Sequence, residues 1–252
     1  MLDNLTIENV GVVVLAAGRG TRLNSIDTPK VMLELNGKPM VSYTVETLKK
    51  IGFGREQICL VVGFKKEKVM EYFGNSVCFA VQEEQRGTAH AAFIGMKSLP
   101  QNIEHVLVMG GDDSAFYKAE TLKNFLESHI LHKNVLTLLT AEPEVPGNIG
   151  RVIRRDNGDV EIVEKEHMTE EQKKLKEIST GTFVFDRAWF ENMYPSMPPI
   201  PKLNEFGLPT ALKIVRQEGK KYEVVKLSDS TEWFGVNTPE ELEEARRRKI
   251  NI

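Results

Sequence analysis

A chain of 252 residues with 41% hydrophobic and 27% charged residues has the composition of an ordinary globular protein. Lys and Arg total 33 against 36 Asp and Glu, a net charge of −3, so no global positive field gathers nucleic acid and any polyanion must be gripped locally. No run approaches the ~20 consecutive apolar residues of a membrane span, and MLDNLTIENV lacks the basic head and apolar stretch of a secretory leader, so a cytoplasmic protein with no membrane contact is expected.

Short apolar runs alternate with helical patterns through the first half: VGVVVLA, PMVSYTVETLKKIG, QICLVVG, KKEKVMEYFG, SVCFAV, GTAHAAFIGMKSL and EHVLVMGG. This alternation predicts right-handed βαβ crossovers and a largely parallel sheet covered by helices on both faces. Cys59 and Cys78 sit inside two of the apolar runs, without the paired spacing of zinc or redox sites, and read as core thiols. KAETLKNFLESHILH then reads as a helix and NVLTLLTA as a strand. His129 and His132, three apart on that helix with no third ligand beside them, read as surface residues.

Between residues 150 and 185 the texture turns antiparallel, with GRVIRRDNGDVEIVEKE folded about a DNG hairpin signal and ISTGTFVFD as a further strand. MTEEQKKLKE between them reads as a charged, solvated helical connector. YPSMPPIPKLNEFGLP holds five of the eleven prolines and is expected as an extended loop rather than a core element. A helix near TALKIVRQEG, a strand YEVVKL and a closing helix PEELEEARRRK complete the chain.

The first strand opens into AAGRGTRL, with Gly18 and Gly20 but neither the third glycine of a dinucleotide fingerprint nor the Gly-Lys-Ser/Thr of a Walker loop. What remains is a loop at a strand's carboxyl edge whose amides can approach a ligand, flanked by Arg19, Arg22 and Lys30. It grips phosphate, or it is a tight turn with solvated arginines. The longer string from Leu15 through Ala16, Ala17, Gly18, Gly20 and Thr21 to Arg22, followed by Pro29-Lys30, resembles the signature of the sugar nucleotidyltransferases.

VQEEQRGTAHAA resembles the base-recognition segment of the N-acetylglucosamine-1-phosphate uridyltransferases, which implies that Gln82 and the backbone of Gly87 and Thr88 read uracil. A side-chain amide offers the donor and the acceptor such a base edge needs. On local grounds alone, Thr88 could instead cap the following helix while Gln82 is solvated. VMGGDDSAF matches the family's Gly-Asp at a strand end, so Gly111 would touch the nucleotide and Asp112 would hold Mg²⁺. Adjacent side chains of an extended segment point opposite ways, so Asp112 and Asp113 are expected not to share one site. WFGVNTPEELEEA resembles the family's Gly-Val-Asn before the closing helix, which implies that Asn237 holds the metal; on local grounds it could instead cap that helix, though Thr238 and Glu241 already form a capping box around Pro239 and leave it spare.

By the same resemblance Gly150, Glu164, Ser179, Thr180 and Gly181 would contact the hexose, with Lys165 near the phosphate. The family usually has asparagine at Ser179, and an apolar residue with proline at Asp113-Ser114. The resemblance spans about Val12 to Ala245 and covers the uridyltransferase portion only, without the hexapeptide β-helix of bifunctional members, so no acetyltransferase activity is expected. It implies a Rossmann-like α/β fold of the nucleotide-diphospho-sugar transferase type, a mostly parallel mixed sheet with a smaller antiparallel sugar-binding portion. Residues 1–252 would form one domain, with a nucleotide part to about 112, a sugar part over about 113–230 and a closing segment at 233–252. The implied reaction transfers a nucleotidyl group from UTP to a sugar 1-phosphate, with Arg22 and Lys30 as the catalytic cations. Alternatives on the same fold are a CTP- or dTTP-using transferase and a non-catalytic nucleotide-sugar sensor.

Overall fold

The computed structural model describes residues 7–23, 27–147, 149–156, 158–200 and 204–250. The first six residues of the leader reading, Asn157 of the DNG signal and 201–203 of the proline-rich segment lie outside them. The chain begins with β1 (Val10–Ala16), a small ribbon of β2 (Glu34–Leu35) and β3 (Lys38–Pro39), then α1 (Met40–Ile51), β4 (Ile58–Val62), α2 (Lys66–Phe73) and β5 (Cys78–Val81). It continues through α3 (Thr88–Lys97), β6 (His105–Gly110), α4 (Ala119–Leu131), β7 (Leu136–Ala141), β8 (Arg151–Arg154), β9 (Val160–Val163), α5 (Glu170–Lys173) and β10 (Ile178–Asp186). The last elements are α6 (Arg187–Met193), α7 (Pro209–Gln217), β11 (Tyr222–Lys226) and α8 (Pro239–Ile250).

Seven strands make the central sheet in the order β11-β7-β10-β6-β1-β4-β5. β1 pairs in parallel with β4 and β6, β4 with β5, and β7 with β11. β10 runs antiparallel to both β6 and β7, so the second half of the chain contributes to the same sheet as the first. β8 and β9 form the separate hairpin that the sequence pattern suggests. β1 is Val-rich because both its faces are covered. Val10, Val12 and Val14 pack with α1, α2 and α4, while Val13 packs with α3, α6 and α7. A third cluster, including Leu23, Met40, Phe116, Val236 and Leu242, holds α8 against α1 and the loop after β6. In the β2–β3 ribbon, Asn36 and Gly37 both have positive φ, the backbone an Asn-Gly hairpin turn requires.

Four sequence expectations change. His129 is 0% exposed, because with Leu122, Phe125 and Leu126 it completes the buried stripe of α4. His132 is the exposed member of that pair, in contact with Glu223. The charged connector is helical only over Glu170–Lys173. The proline-rich segment does reach the core, burying Met197 and Leu208 and stacking Tyr194 on Phe93 at 4.4 Å. Cys59 is buried, whereas Cys78, its register partner on edge strand β5, is partly exposed.

Candidate active site

The parallel strands β1, β4, β5 and β6 all end at one edge of the sheet, and their following loops are tied to one another. The Ala17 carbonyl accepts from the Phe64 amide at 3.3 Å and from Gln85 Nε2 at 2.7 Å. The Gly111 amide donates to the Leu15 carbonyl at 2.9 Å. Ala16 and Ala17 are buried and Leu15 packs against the core, so what these three residues present at the edge is backbone. Gly18, Thr21 and Arg22 are exposed just beyond them.

Gly20 takes φ +66, and a Cβ there would stand 2.7 Å from Lys30 Cβ. Lys30 therefore folds back over the glycine loop and is only 8% exposed. Its ammonium pairs with Asp112 Oδ2 and donates to Asn237 Oδ1 at 2.9 Å. Arg22 reaches the same Asn237 oxygen at 3.3 Å. Four residues drawn from positions 22 to 237 thus meet at one point. Arg19 does not join them, lying instead over the Phe64 ring at 5.7 Å.

Asn237 is spare in the way the sequence suggests. Glu241 Oε2 accepts from the amides of Thr238 and Asn237, and Thr238 Oγ1 accepts from the Glu241 amide at 3.2 Å, so the cap of α8 leaves the Asn237 side chain alone. The Val236 amide donates to the Asp112 carbonyl, which anchors this closing segment to the loop after β6.

The alternation argument for Asp112 and Asp113 fails, because residues 111–113 form a turn rather than extended strand. An oxygen from each carboxyl lies within 3 Å of where a Gly110 Cβ would stand. Burial, then the charge of Asp112, pushes the Asp113 carboxyl well above its ordinary range, with Lys30 opposing. Among the described residues its enclosed Oδ1 finds no hydrogen-bond partner.

The oxygens of Asp112 and Asn237 are hard donors of the kind Mg²⁺ takes, and the molecule already holds a cation, the Lys30 ammonium, between them. An ion with one or two protein ligands and the rest from water and phosphate is a common Mg²⁺ arrangement. The residues present therefore fit the ion.

Along β5 the chain reaches Gln82, which is 5% exposed rather than solvated. Its Nε2 donates to the Gly87 carbonyl at 3.1 Å and lies 3.2 Å from His90 Nδ1. Gly87 has φ +99, and a Cβ would sit 2.5 Å from the Phe206 carbonyl oxygen. Thr88 does not cap α3: its hydroxyl accepts from the Leu208 amide at 3.0 Å, joining the base-reading loop to the segment before α7.

On the sugar side, Gly150 is buried against Val163 and Glu164. Glu164 and Lys165 are exposed just after β9. Glu164 borders a cavity of about 490 Å³ whose walls include Val160, Ile162, Leu212, Lys213 and Arg216 but none of Arg22, Lys30, Asp112 or Asn237. Within β10 the pairing slips between Ser179 and Phe183, and Gly181 lies inside that bulge. Ser179 Oγ accepts from the Gly181 amide at 3.3 Å. Thr180 is turned inward, with its hydroxyl on the Leu139 carbonyl at 2.8 Å and its own carbonyl accepting from Trp233 Nε1. Ser179 and Gly181 are the members of that triplet with exposed surface.

Two residues of this edge escaped the motif reading. His90 lies within the quoted base-recognition string and is recognisable only once the first turn of α3 places it beside Gln82. Trp233 directly precedes FGVN and links that segment to β10.

A family model described as nucleotidyl transferase matches residues 11–251. The bifunctional protein GlmU of Caldicellulosiruptor saccharolyticus is 38% identical over 244 residues, 95% of this chain and 52% of that protein. GlmU of Streptococcus thermophilus is 36% identical over 246 residues, with the same coverage of each. The chain spans about half the length of the curated relatives it matches. Among solved structures, one from Bacillus anthracis assigned as a glucose-1-phosphate thymidylyltransferase superposes with a TM-score of 0.78 at 20% identity, covering 96% of each chain. That likeness shows the fold.

Proposed function

The chain belongs to the nucleotidyl transferase family, and from that premise we propose that it joins a sugar 1-phosphate to UTP, giving a UDP-sugar and pyrophosphate. The observation that carries this reading is the convergence of Arg22, Lys30, Asp112 and Asn237 beside a glycine loop at the sheet's carboxyl edge. The sugar phosphate attacks the α-phosphorus in line. Catalysis then rests on positioning the reactants and neutralising charge as it moves to the leaving pyrophosphate.

The backbone at Gly18, Gly20 and Gly111 approaches the triphosphate. Arg22 holds its β and γ groups, and Lys30 bridges the α-phosphate and the incoming sugar phosphate. Asp112 and Asn237 would hold Mg²⁺, which when bound supplies neutralisation of the reacting phosphates. Gln82, with the backbone of Gly87 and Thr88, reads the base. Gly150, Glu164, Ser179 and Gly181 face the hexose, with Thr180 holding the bulge from within and Lys165 beside the phosphate. N-acetylglucosamine 1-phosphate, or a related hexose 1-phosphate, is the proposed acceptor. Residues up to about 112 serve the nucleotide, about 113–230 serve the sugar, and 233–252 close the metal site. Among the described residues no helix is long and apolar enough to cross a membrane.

The test is a grid of UTP, CTP, dTTP, ATP and GTP against sugar 1-phosphates with Mg²⁺, followed by ³¹P NMR. Pyrophosphate and UDP-sugar appearing one for one with UTP is the expected result. No turnover from protein that still binds UTP would overturn the reading in favour of a nucleotide-sugar sensor.

A further inference from the structure

The Gln82 amide has an orientation that the protein itself dictates. Its nitrogen is 3.1 Å from the Gly87 carbonyl oxygen. A carbonyl oxygen only accepts, so the nitrogen end of the amide must face it. The second amide hydrogen is directed at His90 Nδ1, 3.2 Å away. That ring nitrogen must therefore be the unprotonated acceptor, with the imidazole proton on Nε2. Burial and the neighbouring Arg86 lower the His90 pKa, which favours the neutral ring, while contact with Glu84 opposes them. The ring is kept in place by stacking on Tyr194, at 6.3 Å and 18°, which in turn stacks on Phe93.

With both hydrogens of the amide engaged by Gly87 and His90, Oε1 is the remaining hydrogen-bonding atom of Gln82, and it is an acceptor. A base that places its ring N3 against this oxygen must bring a donor. Uracil and thymine carry N3–H, whereas N3 of cytosine is itself an acceptor. Two acceptors would then face each other across a buried contact. Turning the amide over to suit cytosine would break its bond to Gly87 and would force the His90 proton from Nε2 to Nδ1. A site built around a satisfied polar contact rejects the mismatched ligand because its own groups are left unpaired.

We propose that His90 is a positioning residue for base selection, holding Gln82 so that its oxygen accepts from N3–H of uracil or thymine and disfavours cytosine. This rests on the nucleotidyl-transfer reading above. His90 does not touch the base; it acts through Gln82.

The experiment measures kcat/KM for UTP and for CTP, at saturating sugar 1-phosphate, in wild type, His90→Leu, His90→Asn, Gln82→Leu and the Gln82→Leu/His90→Leu double variant. His90→Leu should lower the preference for UTP over CTP about tenfold, the size of one lost orienting hydrogen bond. His90→Asn, whose side-chain oxygen can replace Nδ1 as acceptor, should stay within about threefold of wild type. The double variant should be no less selective than Gln82→Leu alone, because His90 has nothing left to orient. A preference unchanged in His90→Leu, or lost equally in His90→Asn, would overturn the inference while the wild type still favours UTP. A wild type that turns over UTP and CTP alike would instead overturn the base assignment on which the inference rests.

Discussion

Replacing Lys30 with alanine should have two opposite effects. Lys30 is 8% exposed and its ammonium binds both Asp112 and Asn237, so the substitution removes one preorganised cation and releases two oxygens. Loss of a preorganised donor aimed at developing charge typically costs about 10²–10³ in rate, and kcat for pyrophosphate release should fall by that order. Metal binding without nucleotide should move the other way. The bond Lys30 makes to a carboxylate is of the kind with a net value of about 1.5–3 kcal/mol, so ending that competition should tighten Mn²⁺ binding about tenfold to a hundredfold. Mn²⁺ titration followed by EPR reads the second effect independently of turnover. The variant keeps its Cβ against Gly20, and its melting temperature should change by only a few degrees, about the amount expected for a partly exposed ion pair. Activity within about threefold of wild type, or Mn²⁺ binding that weakens, would refute the placement of Lys30 between the phosphates and the metal oxygens.

Four further substitutions separate the site's roles from those of the helix cap and the core. Asn237→Leu should reduce turnover about a hundredfold with little change in melting, whereas Thr238→Ala should cost about 1 kcal/mol of stability through its lost cap while turnover is kept; both variants losing only stability would reduce Asn237 to a helix-end residue. Gly20→Ala puts a side chain at φ +66 and 2.7 Å from Lys30 Cβ, so it should cost about 1–2 kcal/mol and, by moving Lys30, at least about tenfold in kcat/KM, read by melting and kinetics together. Burial first, then neighbouring His105, lowers the His129 imidazole from 6.5 to about 3, so the unfolded chain takes up a proton that the native state refuses. Stability is then full above the unfolded pKa and lost below it, by about 2 kcal/mol or about 4–8 °C of melting temperature between pH 7 and pH 5. His129→Gln should shrink that difference, and an equal acid loss in both proteins would exclude His129 as its source.

Local signals carried most of the fold. Val-rich runs buried on two faces, the β8–β9 hairpin and the Thr238–Glu241 cap each follow from a few adjacent residues, and the structure realises all three. The insertion of β10 between β6 and β7 was not legible, because it pairs residues far apart in the chain and no local pattern encodes a partner. His129 was legible in principle, since the spacing from Leu122, Phe125 and Leu126 puts it on the apolar stripe, but its polarity suggested the surface. At the site, motif order brought out Arg22, Lys30, Asp112 and Asn237 as separate candidates. That one ammonium would bridge the last two, and that a turn would bring Asp113 beside Asp112, depended on loop geometry outside the motifs. Thr180 shows the converse: its motif position pointed to the ligand, while the bulge at Gly181 turned its side chain into the sheet.

The central claim is that Arg22, Lys30, Asp112 and Asn237 position two phosphates for direct attack, with no covalent step on the protein. The measurement that tests it most directly is the stereochemical course at the α-phosphorus, using a single diastereomer of UTP carrying sulfur on that phosphate and a sugar 1-phosphate acceptor. One in-line displacement inverts the centre, and inversion in the UDP-sugar product is the result this account predicts. Retention would require two displacements through a nucleotidylated side chain, and it would contradict the account.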